Sequence, residues 1–260
     1  MPWDPSQYLK FAAPRERPAL DLLARVPSGN PGRVYDLGCG SGNTTRLLQQ
    51  RWPRARITGV DSSAEMLAEA RATQAAGPTV RYPLEYVQAD LASWMAGDPV
   101  DLIYSNAAFH WLGGHERLFP KLMRSLMAHG VLAVQMPRGH GSARIDALVE
   151  IARDPRWKDR VTPHLFPEVA PPGVYHDWLV KESRGLDIWE TEYLHVLTGD
   201  NAVAEWSRGS ALGPVLGALN PDEAAAFYQA YSQKMQAAYP QRADGTTLLP
   251  FRRIFIVAVR

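Results

Sequence analysis

With 260 residues, 46% of them hydrophobic and 21% charged, the chain can bury one sizeable core, or one domain carrying an elaborated cap. A formal net charge of +1 excludes the strong overall field that draws proteins to nucleic acid or an anionic membrane surface, and no apolar run approaches the ~20 residues of a membrane span. A single cysteine, Cys39, excludes an intramolecular disulfide, and the opening "MPWDPSQYLK" lacks the basic and apolar regions of a signal peptide, so a cytoplasmic protein is expected.

The first segment, "PSQYLKFAAPRERPALDLLARV", spaces Tyr8, Phe11, Leu20, Leu22 and Leu23 like an amphipathic helix interrupted near Pro14 and Pro18. "RVYDL" reads as a strand and "NTTRLLQQRW" as a helix. "ARITGVD" is a second strand, and a helix over "SSAEMLAEARAT" follows, with Ser62 or Ser63 able to cap it and Glu65 in its first turn. "LEYVQAD", "VDLIYSN" and "GVLAVQM" are further strands, with a helical "HERLFPKLMRSLMAHG" before the last. Strands alternating with helices predict parallel pairing and a doubly wound α/β sheet of the Rossmann-like kind. After Met136 the rhythm breaks into loop, helix and loop, then a stretch rich in proline and aromatics. "LDIWETEYLHVL" reads as a strand, "DNAVAEWSRGSALGPVLGAL" and "PDEAAAFYQAYSQKMQAAYP" as helical, and "RRIFIVAV" as a buried last strand. The two late strands complete a seven-stranded sheet, and the helical inserts around them form a cap. The expected organisation is a helical lid segment over 1–30, a cofactor-binding core over 31–137, substrate-cap inserts over 138–186 and 199–250, and the final strands of the core at 187–198 and 251–260.

Ligands of such sheets bind beyond the carboxyl ends of the strands, where the first strand turns into the first helix. There Gly38, Gly40 and Gly42 form G-x-G-x-G, one residue short of the dinucleotide fingerprint because position 43 is Asn, and no Gly-Lys-Ser/Thr completes a P-loop. The loop opens with a carboxylate, Asp36, which suits a cationic or amino-bearing ligand better than a pyrophosphate. Asp61, about 20 residues on, stands where an acid grips ribose hydroxyls or serves as a helix cap instead. Asp90 ends "QAD", placed to accept from an adenine amino group or to hold a turn, and Leu91 can cover the ring. The set describes a nucleoside with a positively charged tail and no phosphate, as in S-adenosyl-L-methionine. Cys39 reads as a small packing residue rather than a nucleophile.

The ordered elements "YDLGCGSGN", "ITGVDSS", "YVQADL", "DLIYSNAAFHWL" and "GVLAVQMP" resemble the class I S-adenosylmethionine-dependent methyltransferases. The resemblance implies that Gly38, Gly40 and Gly42 admit the methionine part, that Asp61 and Ser62 lie at the ribose and Asp90 and Leu91 at the adenine, and that Asn106 sits beside the sulfonium. Within that class, the start "WDPSQYLKFAAPRERPALDLLARVP" together with "LFP" at 118–120, "DIW" at 187–189, "AYP" at 238–240 and the end "LLPFRRIFIVAVR" is similar to the trans-aconitate 2-methyltransferases. This implies esterification of one carboxylate of a small polycarboxylic acid, releasing S-adenosyl-L-homocysteine.

A carboxylate acceptor is ionised near neutral pH and needs no general base, whereas a phenol usually does. A polyacid must also have its other charges held, which arginine forks do best. Tyr8, Arg15, His110, Trp111, Arg138 and Arg253 are the candidate substrate residues, with Arg17 and Arg252 as further cations; His110 is a candidate base, a hydrogen-bond donor or a packing residue. The chain departs from the family pattern in reading "MPRGH" for "MPDN", His110 for Gln, "ALGPV" for "GLRPW" at Gly213, and "FRRIF" for "FPRLF" at Arg252. The alternative acceptor is therefore another small carboxylate, or a phenol with His110 as base. A nicotinamide-dependent dehydrogenase and a cofactor-sensing module without turnover are the competing classes. No His or acid pair has metal-ligand spacing, and no nucleic-acid or membrane partner is expected.

Overall fold

The computed structural model describes residues 12–73, 81–161 and 168–260, with side chains from residue 16 onward. Tyr8 lies outside the described residues, as does the Arg15 side chain. In chain order the elements are α1 (Ala12–Arg25), β1 (Arg33–Leu37), α2 (Asn43–Arg51), β2 (Arg56–Asp61), α3 (Ala64–Ala72), β3 (Glu85–Gln88), β4 (Val100–Asn106), a 3₁₀ turn (Phe109–Trp111) and α4 (His115–Arg124). They continue with β5 (Leu126–Pro137), α5 (Ala143–Ala152), α6 (Pro172–Leu179), β6 (Gly185–Thr198), α7 (Ala202–Arg208), α8 (Leu212–Gly217), α9 (Pro221–Ala238) and β7 (Thr246–Val259).

The seven strands form one sheet in the order β3-β2-β1-β4-β5-β7-β6. β1 pairs in parallel with β2 and β4, β2 with β3, and β4 with β5. β7 enters against the grain: the His129 amide donates to the Arg260 carbonyl at one end of β5, and the Arg138 amide donates to the Arg252 carbonyl at the other. Those two pairs run β7 antiparallel to β5, so the doubly wound sheet is mixed.

The chain folds as two compact units, one comprising Glu16–Pro137, Ala170–Thr191 and Ile254–Arg260, the other built from Arg138–Val169 and Glu192–Arg253. In the first, the sheet unit, the interiors of the middle strands are largely apolar because both faces are covered. Val34, Leu37, Ile57, Val60, Leu102, Ile103, Leu132 and Val134 are buried, and two buried hydroxyls among them bond to carbonyls. Ser105 donates to the Leu37 carbonyl at 2.7 Å, and the Tyr104 hydroxyl donates to the Ala19 carbonyl at 2.6 Å. In the second, the helical unit, Trp157, Trp206, Phe227, Tyr231 and Met235 form the core. α9 starts on a capping box, with Asn220 accepting from the Glu223 amide and Pro221 opening the first turn.

Two local expectations are revised, and one helix stands where the sequence pattern assigns no element. α1 does not break at Pro18; it runs through it, because Ala19, Leu22 and Leu23 are buried on one face and Tyr104 grips the Ala19 carbonyl. α4 ends at Arg124 rather than near residue 130. Leu126 already pairs with Val100, and the next partners are Leu102 and Val131, so the residues between bulge out of β5. α6 forms within the stretch rich in proline and aromatics, to which that pattern assigns no single element, with Pro172 in its first turn and Tyr175 and Leu179 buried.

Candidate functional site

The first residues of the loop after β1 are tied to β2 through the backbone. The amides of Gly38 and Cys39 both donate to the Val60 carbonyl, at 2.7 and 3.1 Å. Gly38 has φ +79°, and a Cβ there would lie 2.0 Å from the Ala108 Cβ. Gly42, at φ +78°, backs onto the Tyr86 hydroxyl, 2.5 Å from where a Cβ would stand. These two positions combine a left-handed backbone with a close approach, and only glycine meets both conditions without strain.

Asp36 is buried beneath this loop. Its Oδ2 accepts from the Thr45 hydroxyl at 2.6 Å, and its Oδ1 has no partner among the described residues. Burial pushes the carboxyl up from 3.8 to about 7, against the pull of Thr45, and the nearby Asp61 charge adds to the rise. Asp61 spans two elements: Oδ2 accepts from the Gly40 amide and Oδ1 from the Ser63 amide, both at 2.9 Å. Ser63, not Ser62, caps α3, accepting from the Met66 amide at 3.2 Å. Ser62 is exposed, and its carbonyl accepts from Gln88 at 3.0 Å. β3 stops at Gln88, so Asp90 sits in a turn, where Oδ1 accepts from the Ala92 amide at 2.9 Å; Leu91 is buried beside Gly38.

At the end of β4, Asn106 presents a buried Oδ1 without a partner among the described residues. The next residue, Ala107, is forced to φ +56°, with its amide donating to the Gln135 carbonyl at 2.9 Å. That turn leads to the 3₁₀ segment carrying His110 and Trp111, whose rings lie 4.6 Å apart. Buried His115 ties the segment down. Its Nε2 donates to the Phe109 carbonyl at 2.9 Å and its Nδ1 accepts from the Tyr175 hydroxyl at 2.7 Å, an assignment made from the partners. Burial pushes this imidazole below its ordinary pKa, so it serves as a neutral bridge.

The unpartnered acceptors Asp36 Oδ1 and Asn106 Oδ1, beside a glycine loop with left-handed backbone, suit a ligand bringing N–H groups or positive charge. Arg46, in the helix after the loop, is turned to the Ser41 carbonyl and the Thr73 hydroxyl.

The candidate arginines divide sharply. Arg17 pairs with Asp21 at 3.9 Å and Arg252 with Glu192 at 4.0 Å, both at the surface. Arg138 is half-buried. Arg253 is buried, its guanidinium carbon 4.7 Å from the Phe251 ring centroid and 6.0 Å from that of Tyr193. A second buried cation, Arg144, stands 4.9 Å from the same Phe251 ring. Removing a guanidinium from water costs several kcal/mol, and one desolvated cation–π contact returns about 2 kcal/mol.

Sequence comparison identifies the scaffold. A methyltransferase-domain family model matches residues 34–130. The trans-aconitate 2-methyltransferase of Azoarcus sp. (strain BH72) is 47% identical over 259 residues, covering 99% of each chain. The chain belongs to the trans-aconitate 2-methyltransferase family. A second member, from Streptomyces avermitilis, is 45% identical, covering 98% of this chain and 96% of its own. Among solved structures the YcgJ protein of Bacillus subtilis superposes with a TM-score of 0.64 at 15% identity, over 94% of this chain and 98% of that one, a likeness of fold.

Of the candidate cofactor residues, Asp36, Gly38, Gly40, Gly42, Asp61, Ser62, Asp90, Leu91 and Asn106 all lie in the sheet unit, as do His110 and Trp111, whereas Arg138 and Arg253 belong to the helical unit. Sequence reasoning missed Thr45, the hydroxyl that fixes Asp36, and Arg144. A signal for the second existed: Arg144, Leu148 and Ile151 share one face of α5, which puts a cation on an otherwise apolar stripe.

Proposed function

We propose that this chain transfers a methyl group from S-adenosyl-L-methionine to one carboxylate oxygen of trans-aconitate. The observation that carries the reading is full-length similarity at 45–47% identity to proteins bearing that name, which extends beyond the matched methyltransferase domain at 34–130. The division of labour follows the sequence boundaries: residues 31–137 serve the cofactor, and the inserts 138–186 and 199–250 serve the acid.

S-adenosylmethionine, when bound, supplies a methyl group on a positively charged sulfur. Asp36 Oδ1 and Asn106 Oδ1 offer acceptors for its N–H groups and charge, and the bare backbone at Gly38, Gly40 and Gly42 lets them be approached. Asp61 has both oxygens engaged by amides, so its contribution to a ribose comes through remaining lone pairs while it braces the loop. Asp90 has one oxygen in its own turn and one to offer the adenine amino group, with Ser62 and Leu91 alongside.

The acceptor oxygen is already an anion at neutral pH, so no side chain has to remove a proton. His110 and Trp111 then act by positioning and by excluding water, and Arg138 and Arg253, with Arg15 and Tyr8, hold the carboxylates that are not methylated. An arginine fork on the reacting oxygen would quench its nucleophilicity, so the cations belong on the other carboxylates. The test is a liquid-chromatography mass-spectrometry assay of purified protein with the methyl donor and a panel including trans-aconitate, citrate, succinate and a simple phenol. Methyl ester from trans-aconitate in preference to the others is expected; turnover of the phenol alone would overturn the reading.

A further inference from the structure

We infer that Arg144 is a specificity-determining residue of the acceptor site, holding with Arg253 a carboxylate that is not methylated. The inference rests on the polyacid reading above and extends it to a residue that neither motif nor spacing selected.

Elsewhere in the chain, arginines that reach inward meet carbonyls. Arg51 donates to the carbonyls of Leu23 and Val26 at 2.8 and 3.3 Å, Arg71 to that of Tyr86 at 2.8 Å, and Arg260 to that of Arg124 at 2.7 Å. At the surface of the helical unit arginines meet acids: Arg156 pairs with Asp154, Arg160 with Glu223 and Arg208 with Glu205. Arg144 does neither. It is only 5% exposed, its Nη1 is buried without a hydrogen-bond partner among the described residues, and its contact is the face of Phe251.

Three features make this a poor structural device and a good anion grip. Arg144 occupies the first turn of α5, at the positive end of the helix dipole, and the acid of that turn, Asp146, is exposed whereas Arg144 is buried. Arg253 approaches the same ring, so two guanidiniums face one small apolar plate. Tyr231, whose hydroxyl donates to Ser207 at 3.0 Å, is a neutral phenol in the field of Arg144 and offers it no counter-charge. A carboxylate at Arg144 would satisfy Nη1 and add negative charge at the positive end of the helix. A monoacid or a phenol has no such group to give.

The experiment compares the wild type with Arg144→Met, which preserves bulk, and Arg144→Lys, which preserves charge but not the fork. Affinity for S-adenosylhomocysteine within twofold of wild type certifies a folded variant. Losing one charge-assisted contact raises KM for trans-aconitate roughly 10- to 150-fold in the Met variant, with kcat changed far less, and the Lys variant recovers part of the loss. Thermal stabilisation by trans-aconitate in the presence of S-adenosylhomocysteine, clear in the wild type, disappears in the Met variant. A folded Met variant with wild-type KM and wild-type stabilisation overturns the inference. Should the Met variant not fold, the Lys variant decides: a raised KM supports the role and an unchanged one overturns it. A wild type that makes no ester from trans-aconitate refutes the substrate reading but leaves the subsite to the binding arm, run also with tricarballylate. There, stabilisation of the wild type that Arg144→Lys weakens supports the subsite, and no stabilisation by either acid overturns it.

Discussion

Replacing Gly38 by alanine tests whether the glycine loop is shaped by steric need. A Cβ at Gly38 would stand 2.0 Å from the Ala108 Cβ, with the Ala108 Cα and Leu91 Cδ1 each at 3.5 Å. Carbon atoms settle at about 3.5–4.0 Å, so the first contact demands a shift of roughly 1.5 Å while the other two leave no slack in which to make it. Overpacking of this kind costs about 1–3 kcal/mol, and holding a non-glycine residue at φ +79° adds about 1–2 kcal/mol. Gly38→Ala alone is therefore expected to lose about 2–5 kcal/mol, or several degrees or more of Tm at about 2–4 °C per kcal/mol. Adding Ala108→Gly removes the clashing atom and leaves only ordinary contacts at 3.5 Å. The double variant keeps the backbone strain and gains up to about 1 kcal/mol of glycine flexibility cost, yet regains the overpacking term. Urea unfolding of wild type, both single variants and the double variant closes the cycle, with S-adenosylhomocysteine calorimetry as a local readout. Coupling of about 1–3 kcal/mol in favour of the double variant is expected; strict additivity would refute the steric account of the loop.

Asp36 makes stability pH-dependent with a definite sign. Its folded-state carboxyl is raised from 3.8 to about 7, so the stability linked to it is fully present below pH 3.8 and lost as pH rises through 7. Asp36→Asn should gain on the wild type by up to about 1.4 kcal/mol per pH unit across that window, and a difference in unfolding free energy that stays flat with pH would contradict the assignment. For His110, a positioning role predicts that His110→Gln keeps kcat/KM for trans-aconitate within about threefold, whereas loss of a general base costs about 100- to 10,000-fold; the larger loss, accompanied by a changed pH profile, would reinstate it as a base.

The sheet half of the protein is legible in the chain because its signals are local. A short strand built on Val34, Tyr35 and Leu37, three glycines at alternate positions and a helix starting at Asn43 specify the strand–loop–helix unit whatever surrounds it, and Asp36 and Asp61 follow from their places at strand ends. The same locality explains the misreadings. Pro18 argues against a helix only until Tyr104 and the buried face of α1 outweigh it, and Leu126 to Gly130 continue a helical pattern until Val100 pairs with Leu126 and claims the segment for β5. Strand order is non-local altogether: β7, last in the chain, enters between β5 and β6, and its pairing with β5 joins residues more than a hundred positions apart. Arg144 and Arg253 belong to the same category. Periodicity can place a cation on an apolar stripe, but only packing brings two of them, 109 positions apart, onto one phenylalanine ring, because burial and charge proximity are properties of the assembled core and not of any segment.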